Sequence, residues 1–136
     1  MHKKRSVILA DRHPNLLEGI RGLLETLFDY VVMVADEESL REAIERLRPD
    51  LVVIDLSFPI TRERNVARWL RKYDPGLRFI VLSVDDDRTV VDQCMASGAS
   101  GLVLKRSIVT DLIPAVTEVL QGNTYASLST RSPSAK

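Results

Sequence analysis

Four polar residues stand where short apolar runs of the chain end, and together they have the groups needed for chemistry on a phosphoryl group. Two are the carboxylates Asp11 and Asp55, one is the hydroxyl of Ser83 and one is the ammonium of Lys105. Each ends a run of aliphatic residues that is typical of a strand buried on both faces of a parallel sheet. Because parallel strands end at one edge, where loops open a crevice for ligands, we expect these side chains to converge.

The set is more specific than any of its members, since a single acid after a strand most often only begins a loop. Two neighbouring carboxylates, Asp11 and Asp55, suit a hard cation such as Mg²⁺, which prefers oxygen ligands and keeps several waters. A carboxylate beside that cation and Lys105 can attack phosphorus and become an acyl phosphate, because both cations offset the charge on the transferring group. The hydroxyl of Ser83 could then donate a hydrogen bond to a phosphoryl oxygen.

Alternating strand and helix patterns must position these residues. The predicted strands cover residues 7–10, 30–35, 51–54, 77–83 and 101–104. The helices that follow them carry apolar residues at helical spacing, with Asp36 as a predicted N-cap. The exterior of the third helix is predicted to be rich in arginine, with Arg62, Arg64, Arg68 and Arg71. Such alternation requires right-handed crossovers and predicts an α/β fold with a five-stranded parallel sheet, doubly wound, covered by helices on both faces.

Composition excludes several classes of protein. At 136 residues the chain has the size of one domain, and 19 Lys and Arg balance 19 Asp and Glu, so no net charge draws it to nucleic acid or membrane. The single cysteine, Cys94, excludes an internal disulfide. Without a signal-type start or an apolar stretch of about 18 residues, we expect a cytoplasmic protein. We place the domain at residues 1–125 and interpret residues 126–136 as a linker or tail.

Five stretches of the chain resemble a response-regulator receiver domain over about residues 6–125. They are ILADRHP at 8–14, DLVVIDLSFP at 50–59, VLS at 81–83, GASGLVLK at 98–105 and GNTY at 122–125. The first, fourth and last are most similar to the LuxR-type branch, in which a helix-turn-helix DNA-binding domain follows the receiver. The resemblance implies the flavodoxin-like form of the predicted sheet. It also implies either a stand-alone receiver or a fragment cut at the linker, with the output domain absent.

The resemblance assigns a role to each strand-end residue. Asp55 becomes the phosphoacceptor, Lys105 contacts its phosphoryl group, and Ser83 becomes the switch hydroxyl. Asp11, Asp55 and the backbone carbonyl of Ser57 become ligands of Mg²⁺. The implied partners are a sensor histidine kinase, a second copy in a homodimer, and DNA only through the missing C-terminal domain, with no membrane. Regulation of transcription through that domain is the expected function, and no enzyme activity is expected beyond phosphoryl transfer onto Asp55.

Three positions depart from the family pattern. The second acid after the first strand, a direct metal ligand in the family, is replaced by Arg12. The aromatic residue expected three places before the lysine is Leu102, and Glu63 stands where a glycine is expected after Pro59.

Arg12 is the departure that matters most, because an arginine is always charged and cannot ligate Mg²⁺. In one alternative it pairs with Asp55 or Asp11 and takes the place of the cation. In a second it extends to solvent and leaves a weakened Mg²⁺ site, and in a third it stabilises phosphoryl charge directly. The first alternative predicts a degenerate receiver that acts as a phosphorylation-independent dimerisation or protein-interaction module.

A phosphohydrolase with an aspartyl nucleophile is the competing enzyme function, since a fold alone does not fix function. Such enzymes usually place a second acid two residues after the nucleophile and cover the substrate with an insertion. Here that position is Ser57 and the loops are short, which favours the signalling interpretation.

Overall fold

The computed structural model describes residues 4–127, without the side chains of residues 14–17. Within that range six strands form one sheet: Ser6–Ala10 (β1), Tyr30–Val34 (β2), Leu51–Asp55 (β3), Phe79–Ser83 (β4), Gly101–Leu104 (β5) and Tyr125–Ala126 (β6). The α-helices of the same range are Pro14–Glu25 (α1), Glu37–Leu47 (α2), Val66–Tyr73 (α3), Arg88–Ala96 (α4) and Ile108–Leu120 (α5). A short 3-10 helix, Lys105–Ser107, joins β5 to α5.

The sheet has the strand order β2-β1-β3-β4-β5-β6, and every neighbouring pair is parallel. Apolar side chains of α2, α3 and α4 pack on one face, while those of α1 and α5 pack on the other. The α/β, doubly wound arrangement predicted from the sequence is therefore confirmed. The uninterrupted apolar run of β3 reflects its central place, since all five of its residues are buried.

The sheet has six strands where five were predicted. The sixth, β6, has only two residues, which is too short for its side chains to show an alternating pattern. It pairs with β5 through Gly101 and Leu102, and the buried hydroxyl of Ser127 then accepts a hydrogen bond from the Leu104 amide at 3.0 Å. The predicted boundary after residue 125 thus falls inside a strand, and residues 128–136 of the predicted tail lie outside the described residues.

Arg71 does not belong to the solvent-facing arginines predicted on α3. Its guanidinium donates to the carbonyl oxygens of Pro75, Leu77 and Gly98 at 2.7, 2.8 and 2.6 Å. Gly98 has φ +113°, and a Cβ there would lie 2.8 Å from Arg71 Nε, so both the backbone and the arginine require glycine. Helical spacing predicted Arg71 on the exterior of α3 and gave no sign of the carbonyl groups that its guanidinium contacts.

An aspartate side chain caps the amino terminus of both α2 and α4. Asp36 accepts a hydrogen bond from the Ser39 amide at 2.8 Å, which confirms it as the N-cap of α2. In the acidic run before α4, Asp87 is the residue that caps the helix, through the Thr89 amide at 2.8 Å. Between residues 4 and 127, none of the helices has the length and apolar character needed to cross a membrane.

Candidate functional site

The four strand-end residues meet at the carboxyl edge of the sheet. Asp55 and Ser83 are the last residues of β3 and β4, while Asp11 and Lys105 directly follow β1 and β5. These four strands are consecutive neighbours in the sheet, so their ends lie side by side. Asp11 and Ser83 are fully buried, and Asp55 is 4% exposed. The four strand ends therefore lie at one edge, as the sequence pattern predicted, and the roles of these residues stay predictions.

Lys105 joins the two carboxylates. Its Nζ lies 2.5 Å from Asp55 Oδ1 and 3.3 Å from Asp11 Oδ2, and its side chain is 9% exposed. The other oxygen of Asp55 accepts a hydrogen bond from the Ser57 amide at 2.9 Å and a second one from the Ser57 hydroxyl. Both oxygens of Asp55 are thus held in place by residues from two different strand ends.

Electrostatics keep this pair ionised at neutral pH. Burial by itself raises the pKa of Asp55, but the hydrogen bonds from Lys105 and Ser57 and the charge of Lys105 outweigh it, so the pKa lies below its ordinary value. Burial likewise lowers the pKa of Lys105, but its hydrogen bond and charge interaction with Asp55, together with Asp11, raise it overall. The pocket therefore presents a deprotonated carboxylate beside a protonated lysine.

Arg12 lies outside this arrangement. Its side chain is exposed, and in the part of the chain that the structure describes its guanidinium forms no ion pair with Asp11 or Asp55. Lys105 makes both of those contacts instead. The predicted alternative in which Arg12 takes the place of the cation is therefore not the arrangement found, which matches the alternative of an arginine extended to solvent.

His13 is the site residue that the sequence analysis missed. Its amide donates to Asp11 Oδ1 at 2.9 Å, and its ring Nδ1 lies 3.2 Å from the same oxygen. Ligand atoms of Asp11, His13 and Asp55 all lie within 4.8 Å of one another. The signal was the position of His13 two residues after a strand-end acid, where a short loop returns its side chain to the carboxylate.

The Ser83 hydroxyl is hydrogen-bonded within the loop before α4. Its hydroxyl donates to the carbonyl oxygen of Asp85 and accepts from the Asp85 amide, both at 2.9 Å. Further along that loop, Asp86 forms an ion pair with Arg106 of the 3-10 helix at 2.8 Å. The loops after β4 and β5 are therefore tied to each other, and the Ser83 hydroxyl must leave Asp85 before it can bind a group on Asp55.

Leu102, the residue in place of the usual aromatic, is fully buried in β5. Its side chain is part of the apolar core that lies under α2, α3 and α4. A buried leucine has no polar group that could exchange between solvent and the interior. Leu102 therefore cannot take the part that the family's aromatic residue plays at this position.

Comparison with known proteins agrees with this geometry. The family model of the response regulator receiver domain matches residues 7–117. The transcriptional regulatory protein DegU of Brevibacillus brevis is 32% identical over 124 residues, which cover 90% of this chain and 52% of DegU. The chain spans about half the length of the curated relatives that it matches, with 52% for DegU and 59% for the transcriptional regulatory protein MctR of Rhizobium johnstonii.

Solved structures show the same likeness. The non-phosphorylated receiver domain of the stress response regulator RcsB from Escherichia coli has a TM-score of 0.80 at 26% identity, covering 92% of this chain and 99% of that domain. A LuxR-family two-component response regulator from Aurantimonas has a TM-score of 0.79 at 28% identity, covering 90% of this chain and 89% of that one. With its four strand-end residues assembled as described, the chain belongs to the response-regulator receiver domain family, on the LuxR-type branch.

Proposed function

We propose that the chain is a phosphorylatable receiver in which Asp55 accepts the phosphoryl group, Lys105 binds it and Ser83 reports it. The observation that carries this proposal is the ionised Asp55 carboxylate, buried at the end of β3 and held 2.5 Å from Lys105, with Arg12 outside the pocket. An oxygen of Asp55 attacks phosphorus as the bond from phosphorus to the donor breaks. The donor is the phosphorylated imidazole of a histidine kinase or a small acyl phosphate, and Lys105 offsets the charge on the phosphoryl oxygens.

A divalent cation fits the charges of this pocket. Two buried carboxylates, Asp11 and Asp55, face one ammonium, Lys105, and this leaves one net negative charge. Asp11, Asp55 and the backbone carbonyl of Ser57 would hold Mg²⁺, as the resemblance implies. When bound, such an ion lowers the charge repulsion between the carboxylate and the incoming phosphoryl group.

Output is proposed to pass to a DNA-binding domain outside these residues. DegU is a transcriptional regulatory protein, and this chain matches only 52% of its length. We therefore propose that the receiver regulates transcription by controlling a helix-turn-helix domain or a homodimer, and that a sensor histidine kinase is its upstream partner. The free thiol of buried Cys94 fits a reducing compartment, so we propose a cytoplasmic location.

The two alternative functions have less support. The degenerate receiver depended on a contact between Arg12 and Asp55, and the contact found is between Lys105 and Asp55. The phosphohydrolase depended on a second acid two residues after the nucleophile. Ser57 holds that position and donates to Asp55 instead of acting as an acid.

A phosphoryl mimic should move the loop before α4 more than any strand. Fluoroberyllate on Asp55 offers the Ser83 hydroxyl a new acceptor, so Ser83 is expected to release Asp85. Amide NMR shifts on adding fluoroberyllate with Mg²⁺ should then cluster in residues 83–88. Asp55→Asn is the blank, because it removes the carboxylate that the mimic binds. Shifts confined to β5 around Leu102 would contradict the proposed route.

A further inference from the structure

The two buried carboxylates of the pocket, Asp11 and Asp55, can hold a bound cation in addition to Lys105. Asp11 is fully buried and Asp55 is 4% exposed, yet in the described part of the chain Lys105 is the one lysine or arginine that contacts them, beside the His13 ring at Asp11. Burying two carboxylates beside one ammonium is costly unless a further positive charge joins them. Arg12, the nearest arginine in sequence, is exposed and does not take that role.

His13 adds a nitrogen ligand to the two carboxylates. Its ring is half-exposed, with 52% of the side chain accessible, so an ion can reach it from solvent. The ring lies at Oδ1 of Asp11, while Lys105 lies at Oδ2, so the imidazole and the ammonium approach different oxygens of one carboxylate. The three ligand atoms lie within 4.8 Å of one another, and ligands opposite each other around an ion at about 2.1 Å are roughly 4.2 Å apart. Small side-chain movements would therefore allow Asp11, His13 and Asp55 to bind one ion together.

Because the third ligand is an imidazole, it raises the affinity of the site for some metal ions more than for others. Mg²⁺ favours oxygen ligands and gains little affinity from an imidazole, whereas later transition-metal ions such as Co²⁺ and Zn²⁺ bind imidazole and carboxylate together. We propose that His13 is a metal ligand with Asp11 and Asp55, and that it makes this pocket prefer a divalent transition-metal ion over Mg²⁺. This inference deepens the proposed function, since it names the cation of the same site.

Loss of the His13 imidazole should affect transition-metal ions and Mg²⁺ differently. Replacing His13 with Ala should weaken the binding of Co²⁺ and Zn²⁺ about tenfold or more, as expected for loss of a group that holds the metal. The same replacement should leave Mg²⁺ affinity unchanged, because the oxygen ligands remain. His13→Asn is a second variant that also lacks the imidazole. Asn is a favourable N-cap residue, and His13 is the N-cap of α1 without a side-chain hydrogen bond, so this replacement should not weaken the helix.

The test is titration of the full chain with Co²⁺, read by its visible absorption bands, and with Mg²⁺ by calorimetry. His2 is the other histidine of the chain, so His2→Ala is the matched control for binding at the amino terminus. We expect Co²⁺ affinity to be retained in His2→Ala and to fall about tenfold or more in both His13 variants and in Asp55→Asn, with a matching change in the visible bands. Loss in His2→Ala with retention in the His13 variants would overturn the inference, as would equal weakening of Co²⁺ and Mg²⁺.

The metal-binding test and the test of the proposed receiver function can fail independently of each other. Metal binding is measured on unphosphorylated protein, and phosphorylation is measured as mass added to Asp55. Co²⁺ binding that depends on His13, in a protein that no phosphodonor labels, would support the metal site and reject the receiver function. Labelling of Asp55 in a protein whose metal preference is unchanged by His13→Ala would do the reverse.

Discussion

Replacing Lys105 with Met is expected to lower the free energy of unfolding by about 3–5 kcal/mol at neutral pH, the cost typical of removing one partner from a buried ion pair. The variant leaves Asp11 and Asp55 buried without the ammonium that contacts both. Urea unfolding of the two proteins measures the difference. Lys72→Met is the matched control, because Lys72 is exposed on α3 and its loss should have little effect.

This destabilisation should depend on pH in a defined direction. The folded-state pKa of Asp55 lies below 3.8, so its contribution is present above that pH and is lost as pH falls through the folded value. The folded-state pKa of Lys105 lies above 10.5, so its contribution is present below that pH and is lost as pH rises through the folded value. The gap between wild type and Lys105→Met should therefore be widest between about pH 4 and pH 10. A gap below about 1 kcal/mol at neutral pH, as for a surface pair, would contradict the buried pairing.

Replacing Arg12 with Asp is expected to tighten Mg²⁺ binding at least tenfold, which corresponds to about 1.4 kcal/mol. The change places an oxygen ligand next to Asp11 and removes a positive charge from the rim of the pocket. Because Arg12 is exposed, solvent screens its charge, and most of the gain should come from the new ligand. Calorimetric titration with Mg²⁺ measures the change.

Arg46→Asp is the control for net charge, since Arg46 is exposed in the last turn of α2, at the opposite end of the sheet. It should leave Mg²⁺ affinity unaltered. If wild type binds Mg²⁺ as tightly as Arg12→Asp, the missing second acid has been replaced by another ligand, and Arg12 has no influence on the metal.

The residues at the carboxyl edge of the sheet were predictable from sequence, because each directly follows or ends an apolar run that forms a strand. Short apolar runs ended by Asp55, Ser83 and Lys105 can form parallel strands, and parallel strands must end together. Side-chain direction in the loops was not predictable. Arg12 and His13 are adjacent in sequence, yet the arginine lies in solvent while the histidine lies at Asp11, and no periodicity distinguishes them.

Two features of the fold were missed for related reasons. The strand β6 is defined by pairing with β5 and by the hydrogen bond from Leu104 to Ser127, both of which join residues far apart in sequence. Arg71 was predicted to face solvent because arginines usually do. Carbonyl groups from two separate loops surround it, those of Pro75 and Leu77 after α3 and that of Gly98 after α4, and only the folded chain brings them together.

The most direct test of the central claim is the mass of the intact wild-type chain after incubation with acetyl phosphate and Mg²⁺. The account predicts the addition of one phosphoryl group, located on Asp55 by peptide mapping, retained in Ser83→Ala and absent from Asp55→Asn. An unlabelled wild type beside a labelled Arg12→Asp variant would contradict it, and would show that Arg12 keeps Asp55 from accepting a phosphoryl group.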